Sequence, residues 1–175
     1  MLPGLLHPAN PVVFLDVQVG EQPLGRLQFE LFQHLLPRTA RNFYELCTGD
    51  HLVDERPVGY KHSSFSKVVK ETYVLGGDLG PEPRSIYGGY FEDESFEVPH
   101  DVEGIVTMVN DGPNMNSSRF AVLFAAAPWM DGQNVAFGRL YGANSLAVLR
   151  TLAYTPTGAG GTPLVRVRVA ECGEM

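Results

Sequence analysis

A mainly β domain, closed into a barrel and capped by helices, is the fold this sequence predicts, and three observations carry it. Short β-rich runs recur along the chain, separated by clusters of Gly and Pro. The final run alternates Val165, Val167 and Val169 with Arg166 and Arg168, the period-2 pattern of a half-buried strand. Helical spacing occurs in only two segments, far apart in the chain. Many short strands with two isolated helices fit a closed barrel, because closure removes the unpaired edges that an open sheet exposes.

At the start, residues 1–9 carry leucines interrupted by Pro3, Gly4 and Pro8, which predicts a flexible arm ahead of one domain over residues 10–175. The runs Val12 to Val19 and Gly25 to Leu31 flank Gly20-Glu21-Gln22-Pro23 and predict a hairpin. Pro37 suits a first helical position. Ala40, Phe43, Tyr44 and Cys47 then fall on one helical face, and Gly49 is the matching stop. Asp50 to Ser63 is polar and irregular. Strand-like runs follow at Phe65 to Val69, Gly104 to Val109, Phe120 to Phe124 and Val135 to Leu140. Asn144 is the expected cap of a second helix that buries Leu146, Leu149 and Ala153 and ends before Thr155-Pro156.

Composition narrows the function classes. A chain of 175 residues can close a core of its own without staples. The net charge of −7 argues against a nucleic-acid surface, which needs clustered Lys and Arg to displace counterions. No run approaches the ~18 apolar residues of a membrane span. With only Cys47 and Cys172, a secreted disulfide framework is not supported; the two thiols suit a reducing compartment and core packing. The expectation is a soluble intracellular monomer.

Several stretches, in order, resemble the cyclophilin family: Asn10-Pro11-Val12-Val13-Phe14, Pro37-Arg38-Thr39-Ala40-Arg41-Asn42-Phe43, Gly76-Gly77-Asp78, Ser85-Ile86-Tyr87-Gly88 with Phe91-Glu92-Asp93-Glu94, Asn110 to Asn116, and Trp129-Met130-Asp131-Gly132. The resemblance covers about Asn10 to Met175. Asp54 to Lys61, Pro156-Thr157-Gly158 and Cys172-Gly173-Glu174-Met175 are similar to the cyclophilin H branch, which is spliceosome-associated. It implies an eight-stranded antiparallel barrel with a helix at each end, peptidyl-prolyl cis-trans isomerase chemistry, and a protein or peptide partner, spliceosomal if the branch holds. A nuclear or cytoplasmic location goes with it.

Prolyl isomerisation faces a barrier of about 20 kcal/mol and needs no nucleophile, metal or cofactor. A catalyst must bind the twisted amide better than the planar one, and each tenfold gain takes about 1.4 kcal/mol of that preference. The family resemblance implies an arginine for this work and an apolar, aromatic pocket for the ring. Here the arginine position is Lys67, which keeps the charge and loses the planar fork. Ser66 and Asn134 stand at histidine positions, Thr72 and Ala121 at pocket phenylalanines, Tyr73 at a methionine, Leu75 and Arg119 at glutamines, and Val109 at an alanine. Trp129 remains at the rim beside Met130, at a leucine-like position, and Asn110 keeps its place in the groove. Asp111 replaces a small residue and is expected to meet Arg119. The loop Gly80-Pro81-Glu82-Pro83-Arg84 is shorter than the family's and stiffened by two prolines.

Other candidates carry less. His7, His34, His51, His62 and His100 show no metal-ligand spacing, so no metal is expected. Glu92, Asp93 and Glu94 are read as a structural loop, and Gly76-Gly77 as close backbone packing, since no phosphate-loop fingerprint follows. The expected function is a cyclophilin-type family member with weak or no isomerase activity, acting as a protein-interaction module that binds cyclosporin weakly. The alternative is an active or retuned isomerase assisting protein folding, with Lys67 or Arg119 as its cation.

Overall fold

The N-terminal hairpin forms as expected, from β1 (Val12–Val19) and β2 (Gln22–Leu31). The computed structural model describes residues 4–175, so residues 1–3 of the expected arm lie outside the described residues. Residues 4–9 reach β2 and Arg139: Leu6 N–H donates to Glu30 Oε2 at 2.8 Å, Arg139 donates to the Gly4 carbonyl at 2.8 Å, and the His7 and His34 rings stack at 4.9 Å.

Helix α1 (Pro37–Thr48) begins at the proline and ends on Gly49, whose φ of 80° supplies the left-handed turn. It buries Thr39, Ala40, Asn42, Phe43, Leu46 and Cys47; Tyr44 is only half-buried. Leu36 cannot cap the helix with its side chain, and the free N–H groups are met from elsewhere. The Glu94 carboxylate accepts from Arg38 N at 3.0 Å and from Thr39 N and Oγ1 at 2.8 Å each. Asp93 likewise ties its loop to Asn114 and Asn116. The acidic run is therefore structural, as expected.

Residues 50–63 hold a small hairpin, β3 (Leu52–Val53) with β4 (Arg56–Pro57). Next come β5 (Lys67–Val69), β6 (Tyr73–Gly76), β7 (Ile105–Asn110), β8 (Asn116–Leu123), β9 (Ala136–Leu140) and, after α2 (Ala143–Ala153), β10 (Val167–Glu174). The eight long strands form one antiparallel sheet in the order β10-β1-β2-β9-β7-β8-β6-β5. It curls until the residues ahead of β5 meet β10: His62 N–H donates to Val169 O at 2.7 Å and Phe65 N–H to Val167 O at 2.8 Å. This is the mainly β, eight-stranded, helix-capped architecture the sequence predicts.

Several local readings need correction. The run Phe65 to Val69 is a strand only from Lys67, and the sequence reading left out β6, onto which Glu71, at φ 64°, turns the chain as a hairpin. Strand β10 starts at Val167, so Val165 lies outside it and is exposed, while Val167 and Val169 keep the alternation. Helix α2 is preceded by Gly142, and Asn144 sits exposed in its first turn without capping it. The polar group that anchors this turn is buried Ser145, which accepts from Gln28 N at 2.8 Å and donates to Tyr141 O at 2.7 Å. That bond turns Ser145, Leu149 and Leu152 inward, leaving Leu146 and Ala153 half-buried.

Gly76 and Gly77 do allow close packing: a Cβ on Gly77, at φ 79°, would lie 2.5 Å from the Ser118 carbonyl. Cys47 and Cys172 are free thiols; burial pushes Cys172 up to about 11, so both remain protonated at neutral pH. No helix among the described residues is long and apolar enough to cross a membrane. Glu94→Ala strips three hydrogen bonds from the start of α1, and urea denaturation should show a loss of about 1–2 kcal/mol with an unchanged slope.

Candidate functional site

Strand register decides which side chains form the site. Val68, Val74, Val122 and Val106 are paired across β5, β6, β8 and β7 and fill the core. Their chain neighbours therefore share the opposite, outer face. One row there reads Lys67, Leu75, Ala121, Thr107 and Ala136, each the register partner of the next. Lys67 is exposed, Leu75 half-buried, and Ala121 and Thr107 fully buried. No carboxylate lies within ion-pair distance of Lys67 among the described residues.

Two positions before Ala121 on β8, Arg119 meets Asp111 as expected: Nη2 donates to Oδ1 at 2.5 Å. The sequence reading missed the third member, Tyr90, whose hydroxyl donates to the other Asp111 oxygen at 2.5 Å. The Tyr90 bond first, and then Arg119, hold the Asp111 carboxyl below its ordinary value, while the same bond raises Tyr90. These residues and the loop from Asp78 to Arg84 enclose a polar cavity of about 230 Å³. The two prolines of that loop thus wall a pocket.

Val109 lies at a bulge of β7, where the register shifts between Met108 and Asn110. Asn110 donates to the Gln133 carbonyl at 2.9 Å and Asn134 to the Met108 carbonyl at 3.0 Å, so both amides pin the 130–134 loop to β7. Thr72 occupies the β5–β6 turn, its hydroxyl bonded to the Lys70 carbonyl at 3.2 Å. Tyr73 and Met130 belong to a second apolar cluster with Leu123 and Ala127, and Trp129 stands 59% exposed beside it. Register thus gathers Lys67, Leu75 and Ala121 in one row, and a side-chain bond joins Asp111 to Arg119; Thr72 lies apart, in its turn.

Beneath the row lies a polar network that the sequence reading dispersed. Buried His100 takes Asp131 at Nδ1 (2.8 Å) and Thr107 at Nε2 (2.9 Å), and its backbone N–H donates to the same Asp131 oxygen at 2.7 Å. These bonds, the backbone one first, lower the Asp131 carboxyl. The available signal was Thr107 itself, a hydroxyl inside the apolar run Ile105 to Val109. Among the described residues no group of three or more His, Cys, Asp or Glu is placed to hold a metal.

Residues 14–174 match the family described as cyclophilin type peptidyl-prolyl cis-trans isomerase/CLD. The chain belongs to the cyclophilin family. It is 41% identical over 173 residues to the peptidyl-prolyl cis-trans isomerase CYP22 of Arabidopsis thaliana, covering 97% of this chain and 86% of that protein. Against the peptidyl-prolyl cis-trans isomerase H of Rhizopus delemar it is 41% identical over 171 residues, 95% of each. The peptidyl-prolyl cis-trans isomerase 11 of Caenorhabditis elegans is 38% identical over 175 residues, 98% of this chain and 94% of that one.

In this cyclophilin the Tyr90–Asp111–Arg119 clasp should be strongest near neutral pH. A depressed carboxylate contributes above its unfolded value and is lost as pH falls through its folded one. The exposure of both groups keeps the effect on global stability small. Asp111→Asn should return the Tyr90 hydroxyl toward ordinary tyrosine behaviour, read as a downward move of its titration by ¹³C NMR of labelled tyrosine.

Proposed function

We propose that this chain is a protein-interaction module on the cyclophilin fold, with weak or no isomerase activity. The observation that carries the reading is the composition of one row. Lys67, Leu75 and Ala121 are register neighbours, with Ala121 buried, so a proline-bearing segment laid along the row meets an ammonium and one half-buried aliphatic side chain. The resemblance implies a guanidinium, an amide and a ring at these positions. An aromatic ring buries on the order of 150 Å² or more, and losing one forfeits roughly 3 kcal/mol of contact, about a hundredfold in rate if spent on the transition state. Replacing the fork with a point charge removes aimed hydrogen bonds as well. A spliceosomal protein as partner and a nuclear or cytoplasmic location, which the resemblance to the cyclophilin H branch implies, are part of the same proposal.

An isomerase assay on a panel of Xaa-Pro peptides tests it. We expect catalytic efficiency at least about a hundredfold below that of an active cyclophilin. The combination Lys67→Arg, Thr72→Phe, Leu75→Gln, Arg119→Gln, Ala121→Phe and Asn134→His should recover much of the difference, while single changes recover little. One observation favours the second reading, a retuned isomerase: among the described residues Lys67 has no carboxylate partner and is available as a cation. Efficiency comparable to an active cyclophilin, abolished by Lys67→Ala, would establish that reading in place of ours.

Cyclosporin should bind weakly, because the resemblance places its site on the same groove, where Thr72, Ala121 and Arg119 stand in place of two rings and an amide and Trp129 alone should not rescue it. Calorimetry on the purified chain checks this. Tight binding would mean that the altered row still forms an apolar ligand site.

A further inference from the structure

The seam where the barrel closes holds a second, more open depression, of about 580 Å³. His62, Ser63, Ser64 and Ser66 line it from ahead of β5, Arg166 from ahead of β10, and the loop beginning at Asp78 closes one side. Arg166 is exposed and bonded only to neutral acceptors: Nε donates to Ser64 Oγ and Nη2 to the His62 carbonyl, both at 2.8 Å. A guanidinium has five N–H donors; these two bonds fix its plane and leave three uncommitted. Arg168, bridged to Ser64 across the seam, contacts His62 Nδ1 and Gln18 Oε1 at 3.3 Å each. With Nδ1 accepting, the His62 ring carries its hydrogen on Nε2 and offers another donor.

Among the described residues six of the ten arginines are paired with a carboxylate, and Arg56, Arg84 and the two at the seam are not. Arg26, Arg38, Arg41, Arg119, Arg139 and Arg150 each pair with a carboxylate. Neither Arg166 nor Arg168 does among the described residues, although the chain is net −7. The Arg166 fork, an imidazole N–H and the hydroxyl hydrogens of Ser64 and Ser66 around one cavity make a donor-rich site lacking its acceptor, while Ser63 Oγ is committed to the Tyr60 carbonyl at 2.6 Å. Planar forks with hydroxyls match a tetrahedral phosphoryl group, whose several oxygens can take all of them at once. The single acidic group in the lining, Asp78, is engaged by the Gly80 N–H at 3.1 Å.

We propose that the seam cavity binds a phosphoryl group presented by a phosphorylated serine or threonine of a peptide partner. The peptide source rests on the interaction-module reading, because Asp78, Gly80 and Pro81 wall this cavity and the Arg119 cavity alike. A net charge of −7 repels an extended polyanion such as RNA or an anionic bilayer, whereas one phosphoryl group on an otherwise ordinary peptide meets the local cations.

The test compares two fluorescent nonapeptide pools, centred on phosphoserine or on serine, by anisotropy with the full chain at near-physiological salt. We expect the phosphoserine pool to bind about tenfold more tightly. The amide signals of His62, Ser64 and Ser66 should move in ¹⁵N NMR of the unmodified protein, which requires no variant to fold. Arg166→Gln should erase most of the preference, Arg166→Lys should keep part of it, and Asp78→Asn should strengthen it.

Equal binding of the two pools, or a preference untouched by a folded Arg166→Gln, overturns the proposal. So does binding confined to inorganic phosphate, or to vesicles carrying a phosphoinositide. An active isomerase in the earlier assay would remove the interaction-module reading and leave this preference intact. Equal pools would remove the phosphoryl site and leave that assay unaffected.

Discussion

One aromatic contact positions everything that faces out of this barrel. Phe43, carried inward on α1, packs against Phe29, Tyr60, Phe120 and Phe137 with ring centroids 6.0, 5.1, 5.1 and 5.2 Å away. The Tyr60 hydroxyl then donates to the Ser118 carbonyl at 2.7 Å inside the core. With Phe120 fixed inward on β8, period-2 geometry sends Arg119 and Ala121 outward. A slip of one residue would drive an arginine into the rings and expose a phenylalanine, so the register of the groove is held by the cost of that exchange. The site is rigid because the core behind it is.

This division explains which parts of the molecule were legible in the sequence. Phe43 and Cys47 announced their face by helical spacing, and Gly49 announced the end of α1, because those signals arise within a single turn. Val167 and Val169 did the same for β10. Asn144 misled, since its capping propensity is a local argument and the anchor of α2 is a hydrogen bond that Ser145 accepts from β2, more than a hundred residues away in the chain. The β5–β6 turn hid for a related reason: Glu71 adopts a left-handed φ without being a glycine. For the site, motif order placed Lys67, Leu75, Ala121, Arg119 and Asp111. Tyr90, His100 and Thr107 were not seen because their roles exist only through partners brought in by folding.

The two apolar clusters set different rules for change at the groove. Lys67 and Leu75 have one side in solvent, so their substitution alters what the surface can bind and leaves the interior almost untouched. Met130, at 6% exposure, packs with Leu123, Ala127 and Val135 outside the barrel proper. A polar replacement there would unseat the segment that carries Trp129 and Asp131. Since Asp131 holds His100, and His100 holds Thr107 beside Ala121 in the row, damage at Met130 would propagate into the buried end of the row. Binding chemistry can therefore change at the row's exposed end at little cost to folding, while its buried end is tied to the stability of the neighbouring loop.

Electrostatics then gives the exposed end a direction. Most arginines of this acidic chain are neutralised by a carboxylate close by, which shortens the reach of their field. The exceptions include Lys67, Arg166 and Arg168, and they are joined by a short stretch of chain: Ser66, which lines the seam cavity, precedes Lys67 directly. Unpaired cations on a negative body create a local potential opposite in sign to the rest of the surface, and such a patch orients an approaching partner before contact. A neutral proline segment gains nothing from that field, whereas a segment with an acidic or phosphorylated side chain is turned toward the seam and held there by donors that have no internal acceptor. On the interaction-module proposal, the row in which the family resemblance implies a fork and a ring adjoins a charge arrangement that favours anionic segments, and the seam and the row would then act as parts of one recognition surface.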